Sequence, residues 1–251
     1  MKPDAFVHLP HLRGKLIAAE KSQLRLTPEL LAAWDARALK LGRSANWRLA
    51  DSEREQMRRA VLGDLASNPA SDPAAARDLW VFGYGSLMWD PGFHFAEVRL
   101  ARLEGYVRRF SYRTHLGRGS PECPGLMLTL EQAPGECTGL AFRIEATRAE
   151  AESTILWRRE MLRGGYLPTL VSVSTPQGEV NALAFACNRA HPDYVGELPL
   201  AEAGGMIARG TGVLGTNRQY IEDLAAQLAH LRIEDEYLTQ LLCEVRACAA
   251  C

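Results

Sequence analysis

Two short stretches hold the residues whose types and spacing suit chemistry. The first is LWRREMLRGGYLPT, which contains Glu160. On a helical wheel at ~100° per residue, Ala151, Ile155 and Leu162 form one apolar stripe. Leu156 and Trp157 lie on the other side, and Glu160 projects between them one turn on. A carboxylate set among apolar groups has its charged form disfavoured, so its pKa rises and it becomes a usable proton acceptor. The same spacing also fits a plain surface ion pair with Arg163, three residues on. Glu152, on the same helix, falls outside this constellation. The second stretch is VFGYGSLMWDPGF, in which Val81 and Phe82 end an apolar strand and Gly83, Tyr84, Gly85, Ser86 and Leu87 follow. Glycines leave backbone N–H groups open to a carboxylate or a developing oxyanion, and Tyr84 can add a ring wall and a hydroxyl. A tight bend at a barrel corner would use the same glycines. There is no third glycine and no following lysine, so neither a dinucleotide fold nor a phosphate loop is indicated.

Other groups with chemical potential are dispersed. Cys123, Cys137 and Cys187 are scattered, and Cys243, Cys248 and Cys251 crowd the C-terminus. The final CAAC has neither a βαβ unit around it nor a polybasic stretch before it, so it reads as a reduced tail. The six histidines are equally dispersed; His8 and His11 lie three apart without an acidic or cysteine partner near them, and no metal site is expected.

The elements that must position these residues follow from periodicity and punctuation. TPELLAAWDARALKLG has Thr27 at the N-cap, Pro28 at the first helical position and Gly42 past the end. DSEREQMRRAVLGDL shows a capping box at Ser52 and Glu55, with Met57, Val61, Leu62 and Leu65 as its apolar side. ASNPASDPAAARD reads as a linker. From Leu79 the texture changes to short strands: LWVFGYG, two pieces around Gly105, GLMLTLEQ, ECTGLAFRIEA, and a hairpin at Pro176-Gln177-Gly178. One helix interrupts them, with a capping box at Thr147 and Glu150, and helical segments close the chain, one capped by Thr216 and Gln219. Residues 1–78 are therefore read as a helical extension and linker without chemistry, whose stripes pack on the main body. Residues 79–251 are read as an α+β domain.

Composition narrows the function classes. The chain has 251 residues, 47% hydrophobic and 24% charged, with a net charge of −1. That balance gives no electrostatic footprint for nucleic acid or an anionic membrane. There is no run of ~18 apolar residues. MKPDAFVHLPHLRGK lacks a continuous apolar core, so no secretion signal is read and a cytoplasmic location is expected.

Taken together, VFGYGSLMWDPGF, GRGSPECPGLMLTL, LWRREMLRGGYLPT, VNALAFACNRAHPDY and GVLGTNRQYI resemble, in this order, the ChaC family of γ-glutamylcyclotransferases. The resemblance runs from about Trp80 to Leu242. It implies a small closed antiparallel-type β-barrel flanked by helices. It also implies cleavage of glutathione to 5-oxoproline and cysteinylglycine, with no metal and no cofactor. By the same likeness, Tyr84, Gly85, Ser86 and Leu87, with the strand before them from Val81 through Phe82 and Gly83, cradle the γ-glutamyl head. Glu160 falls on the family's catalytic glutamate, and Tyr166 on the aromatic that follows it. This chain departs from the pattern at Ser120, where many members have threonine, and at Leu126, where many have arginine. The lost charge leaves Arg113 and Arg118 as hints to how the rest of a substrate is held. Two other readings stand beside this one: a cyclotransferase for other γ-glutamyl amines or amino acids, and a non-catalytic regulatory module.

Overall fold

A computed structural model describes residues 4–40, 42, 44, 46–63 and 77–248. Most of the linker and the end of the CAAC tail lie outside these residues. Five strands, β1 (Leu79–Gly83), β2 (Glu97–Thr114), β3 (Gly125–Ile144), β4 (Tyr166–Thr175) and β5 (Gly178–Cys187), close into a barrel in the order β1-β3-β2-β4-β5. β1 runs antiparallel to β3, with Leu79 opposite Ile144 and Gly83 opposite Leu140. It runs parallel to β5, with Trp80 opposite Ala182 and Val81 opposite Leu183. One pair of the barrel is thus parallel, where an antiparallel-type barrel was expected. The two pieces expected around Gly105 are one strand, β2, with Gly105 at φ +75. GLMLTLEQ and ECTGLAFRIEA are likewise one strand, β3, with Gly135 at φ +135. At both places a positive φ bends the strand without ending it, an option open to glycine because it has no Cβ. The β4–β5 hairpin turns where expected, and the Thr175 hydroxyl donates to the Gly178 carbonyl at 2.7 Å.

The chain forms two compact units. The first comprises Met1–Glu104 and Thr138–Phe185. It contains α1 (Pro28–Lys40), α2 (Asp51–Leu62) and α3 (Ala146–Glu160). Its core gathers Val81, Phe82, Phe93, Phe142, Leu156 and Trp157. Phe93 meets Phe142 edge-on at 5.7 Å. Thr27 caps α1 as expected, its hydroxyl accepting from Leu30 N–H at 3.3 Å. Two other expected caps are not used. α2 begins at Asp51 after Ala50, and α3 at Ala146 after Glu145. At α3 the cap comes from another part of the chain, because the Asp78 carboxylate accepts from Ala146 N–H at 2.9 Å.

The buried faces of α2 and α3 also differ from their apolar stripes. α2 buries Arg54 and Arg58, while Met57, Val61 and Leu62 are only half-buried. α3 buries Ala149, Glu152, Ser153, Leu156 and Trp157, leaving Ala151 exposed. For Arg58 and Glu152 the cause is ion pairing between segments. Arg58 binds Glu55, Glu150 and the Ser153 hydroxyl. A buried guanidinium is tolerable when its donors meet carboxylates in this way.

The second unit comprises Gly105–Cys137 and Ala186–Cys251. It holds α4 (Leu200–Arg209), α5 (Asn217–Leu231) and α6 (Glu236–Ala247). The Thr216 hydroxyl caps α5, accepting from Gln219 N–H at 3.1 Å. Asn217 is fully buried and clasps Leu126 on both sides, accepting from its N–H at 2.7 Å and donating to its carbonyl at 2.8 Å. Leu126 is itself fully buried, so this position serves the core. Arg118 donates to the Thr216 carbonyl, and Arg113 is exposed. Among the described residues, no helix is long and apolar enough to cross a membrane.

Candidate active site

The first unit brings Ser86, Arg159 and Glu160 together. β1 delivers the chain into the loop, with Val81 and Phe82 fully buried and laddered to β3. Gly83 has no room for a side chain: a Cβ there would lie 3.0 Å from Leu87 Cβ and 3.3 Å from the Phe142 ring. A Cβ on Gly139 of β3 would sit 2.3 Å from the Gly83 carbonyl oxygen. Close packing therefore accounts for Gly83. After Gly85 the chain makes a 3-10 turn over Ser86–Met88, closed by Met88 N–H donating to the Gly85 carbonyl at 2.8 Å. The leading N–H groups of such a turn have no acceptor within it. Leu87 and Met88 are buried, and Ser86 is half-buried.

Tyr84 is buried at the start of this loop. Its hydroxyl donates to the Phe185 carbonyl at 2.8 Å, which commits the donor to β5. The Phe185 ring meets Trp157 of α3 at 5.3 Å. Tyr84 thus ties loop, β5 and α3 together from within the core. The Trp157 indole Nε1–H is buried with no acceptor among the described residues, and so is Asp90 Oδ1 with no donor.

Glu160 is the last residue of α3, and Met161 caps the helix with its N–H on the Trp157 carbonyl. Its side chain is 15% exposed. Burial pushes the Glu160 carboxyl above the ordinary carboxylate range, and the positive charge of Arg159 pulls the other way. Burial prevails, as expected for a carboxylate with few polar partners. Arg159 is an ion-pair partner, with Nε 3.0 Å from Glu160 Oε1. Neighbouring side chains do not share a face within a regular helix. At the last turn that restriction is relaxed, because the chain leaves the helix at Met161.

Arg159 was the residue missed by the sequence reading. It donates to the Asp90 carbonyl at 2.6 Å, the Pro91 carbonyl at 3.3 Å and the Ser86 hydroxyl at 2.9 Å. It therefore carries the loop after Ser86 and Glu160 on one guanidinium. The available signal was an arginine next to the glutamate at a helix end, facing a loop with carbonyls to satisfy. Tyr166 opens β4 and is half-buried, six residues beyond Glu160 across a turn in which Gly164 has φ +74. Glu152 is not the bystander expected. It is 4% exposed and receives two bonds from Arg25, at 2.6 and 3.1 Å.

In the first unit, then, the Arg159 guanidinium joins the Ser86 turn to Glu160, a carboxyl that burial pushes upward. The profile described as "ChaC-like protein" matches residues 79–248, and the chain belongs to this family. The glutathione-specific gamma-glutamylcyclotransferase of Escherichia coli (strain K12) is 38% identical over 193 residues, which is 76% of this chain and 81% of that one. The human glutathione-specific gamma-glutamylcyclotransferase 1 is 32% identical over 186 residues, 72% of this chain and 82% of its own. Among solved structures, the glutathione-specific gamma-glutamyl cyclotransferase from yeast superposes with a TM-score of 0.63 at 24% identity, over 68% of this chain and 96% of that one. That likeness establishes the barrel fold.

Proposed function

We propose that the protein is a γ-glutamylcyclotransferase that cleaves glutathione to 5-oxoproline and cysteinylglycine. The observation that carries this reading is Glu160, mostly shielded from solvent and with its carboxyl pushed up, joined through Arg159 to the Ser86 loop. In the reaction the substrate's own α-amine attacks its γ-carbonyl. A C–N bond forms to close a five-membered lactam, and the bond to the cysteinyl nitrogen breaks. Because the attack is intramolecular, the protein's task is to hold the γ-glutamyl arm in the attacking conformer. Glu160 takes the proton that the ammonium must lose and returns it to the leaving nitrogen. The N–H groups of Gly85 and Ser86 are assigned to the developing oxyanion, as preorganised donors at the start of the 3-10 turn. Val81, Phe82 and Gly83 set the position of that turn, Leu87 backs it, and Tyr166 is assigned to the substrate wall.

Glutathione is preferred over other γ-glutamyl compounds because the bacterial and human relatives both bear glutathione-specific names. A cytoplasmic setting suits a chain whose five described cysteines are unpaired, since cytosolic reductants keep thiols in that state. The test is product release from glutathione beside γ-glutamyl-alanine and a γ-glutamyl amine. Release of 5-oxoproline from glutathione at least tenfold faster than from the others supports the reading. No release from any of them would refute it.

A further inference from the structure

The family match begins at residue 79, yet the segment before it reaches the proposed site at four places within the first unit. Trp89, Asp90, Pro91 and Gly92 follow the Ser86 turn, and each of their four carbonyls accepts a hydrogen bond. Arg159 supplies those to Asp90 and Pro91. The other two come from upstream of the family domain. Ile17 N–H donates to the Trp89 carbonyl at 2.8 Å, and Arg25 Nη1 to the Gly92 carbonyl at 2.9 Å. The same Arg25 guanidinium grips Glu152 with two bonds, two turns before Glu160 on α3. Beyond Glu160, Leu49 N–H donates to the Leu162 carbonyl at 3.0 Å, and a Cβ on Gly164 would lie 3.4 Å from the Leu49 side chain. Arg58 of α2 binds Glu150 and Ser153 on the same helix.

We infer that the N-terminal extension is a working part of the active site, and that Arg25 is a positioning residue for the cyclisation. The inference rests on the proposed function for its catalytic readout. A guanidinium whose Nη1 donates to a loop carbonyl while both Nη atoms hold a buried carboxylate fixes the distance between two elements. Here those elements are the loop that follows the Ser86 turn and the helix that ends in Glu160. Arg25 sets it at one side of the Gly92 turn, where φ is +70, and Arg159 sets it at the other. A Cβ on Gly92 would stand 3.1 Å from Arg159 Nη1, so both arginines close on the same turn. For an intramolecular reaction, a misplacement of about 1 Å between base and substrate cradle can cost on the order of 10² in rate. An element that touches no substrate can therefore govern turnover.

The test compares full-length variants. Arg25→Met alone strands the buried Glu152, so it is paired with Arg25→Met/Glu152→Met, which leaves no unpaired charge. Arg25→Lys keeps the charge but cannot hold carboxylate and carbonyl together. Arg13→Ala, which removes an exposed pair with Asp4 elsewhere in the extension, is the control. We expect kcat for 5-oxoproline release to fall at least tenfold in the double variant and less in Arg25→Lys. The acid limb of the pH profile should stay in place, because Arg159 and Glu160 are untouched. Hydrogen exchange, which needs no activity, should accelerate at least tenfold at the amides of Met88, Trp89 and Asp90, while α6 exchanges as in wild type. The control should match wild type in both readouts. A lowered Tm with unchanged kcat and unchanged exchange at those three amides would overturn the inference and leave the extension as packing only. If wild type fails to turn over glutathione, the proposed function falls, and exchange alone decides the role of Arg25.

Discussion

Replacing Arg159 by methionine separates two effects that one guanidinium combines. The side chain is 8% exposed and ends within hydrogen-bond reach of Asp90, Pro91, Ser86 and Glu160. Hydrogen bonds to a charged donor contribute about 1.5–3 kcal/mol each, and removing one partner of a buried ion pair costs about 3–5 kcal/mol. Glu160 softens the second loss, because a carboxyl with a raised pKa can take a proton and stop being a stranded charge. The deficit therefore depends on pH. In wild type the folded-state pKa of Glu160 lies above its unfolded value, so stability falls as pH rises between the two. Arg159 opposes that rise, and its removal pushes the folded-state value higher still. The variant should then be destabilised by about 3 kcal/mol at low pH, with the deficit growing as pH passes upward through the interval. At roughly 2–4 °C per kcal/mol for a chain of this length, Tm should drop about 6–12 °C, and more at higher pH. The acid limb of kcat/KM should move to higher pH, and the plateau should fall about 10²-fold as the loop shifts. Thermal melts from pH 5 to 9 and a pH–rate profile measure both. An acid limb that stays in place or moves to lower pH would refute the view that Arg159 restrains the Glu160 pKa.

Further expectations concern parts of the chain beyond that pair. Asn217→Ala removes both bonds to the Leu126 backbone and leaves a buried N–H and carbonyl unmet, which should cost about 3 kcal/mol, or roughly 6–12 °C in Tm by scanning calorimetry. Burial pushes the thiols of Cys137 and Cys187 up to about 11, while Cys243 and Cys248 are exposed, so iodoacetamide at pH 8 should label the latter pair first, as mass spectrometry would show. Changing Cys243, Cys248 and Cys251 to Ser should leave 5-oxoproline release unchanged, because the proposed mechanism has no thiol step.

Much of the architecture was legible because it depends on local signals. Thr27 and Thr216 cap their helices as their types suggest, and the Pro176–Gly178 turn joins two strands as its punctuation suggests. What escaped was set by tertiary contacts. Ser52 and Thr147 look like caps, but their helices start a residue earlier, and at α3 an aspartate from another segment, Asp78, fills the role. The stripe of α2 pointed to Met57 and Val61, yet Arg54 and Arg58 are the residues buried, Arg58 because Glu150 waits for it on α3. No periodicity shows a pair separated by 92 positions. In the candidate site, Glu160 and the loop from Val81 to Leu87 were readable from residue types and resemblance, whereas Arg159 and Arg25 act by crossing between segments.

The central claim is that Glu160 carries the proton, and Glu160→Gln tests it most directly. The amide keeps the size and hydrogen-bonding shape of the acid but cannot accept a proton, and it is no harder to bury. The control is Glu145→Gln, because Glu145 is exposed before the start of α3, whereas Glu152 is held in its pair with Arg25. 5-Oxoproline release should fall on the order of 10² to 10⁴ in Glu160→Gln, with glutathione binding kept within about tenfold and circular dichroism unchanged. Glu145→Gln should turn over as wild type does. A folded Glu160→Gln that releases 5-oxoproline near the wild-type rate would reduce Glu160 to an ion-pair partner of Arg159 and contradict the mechanism.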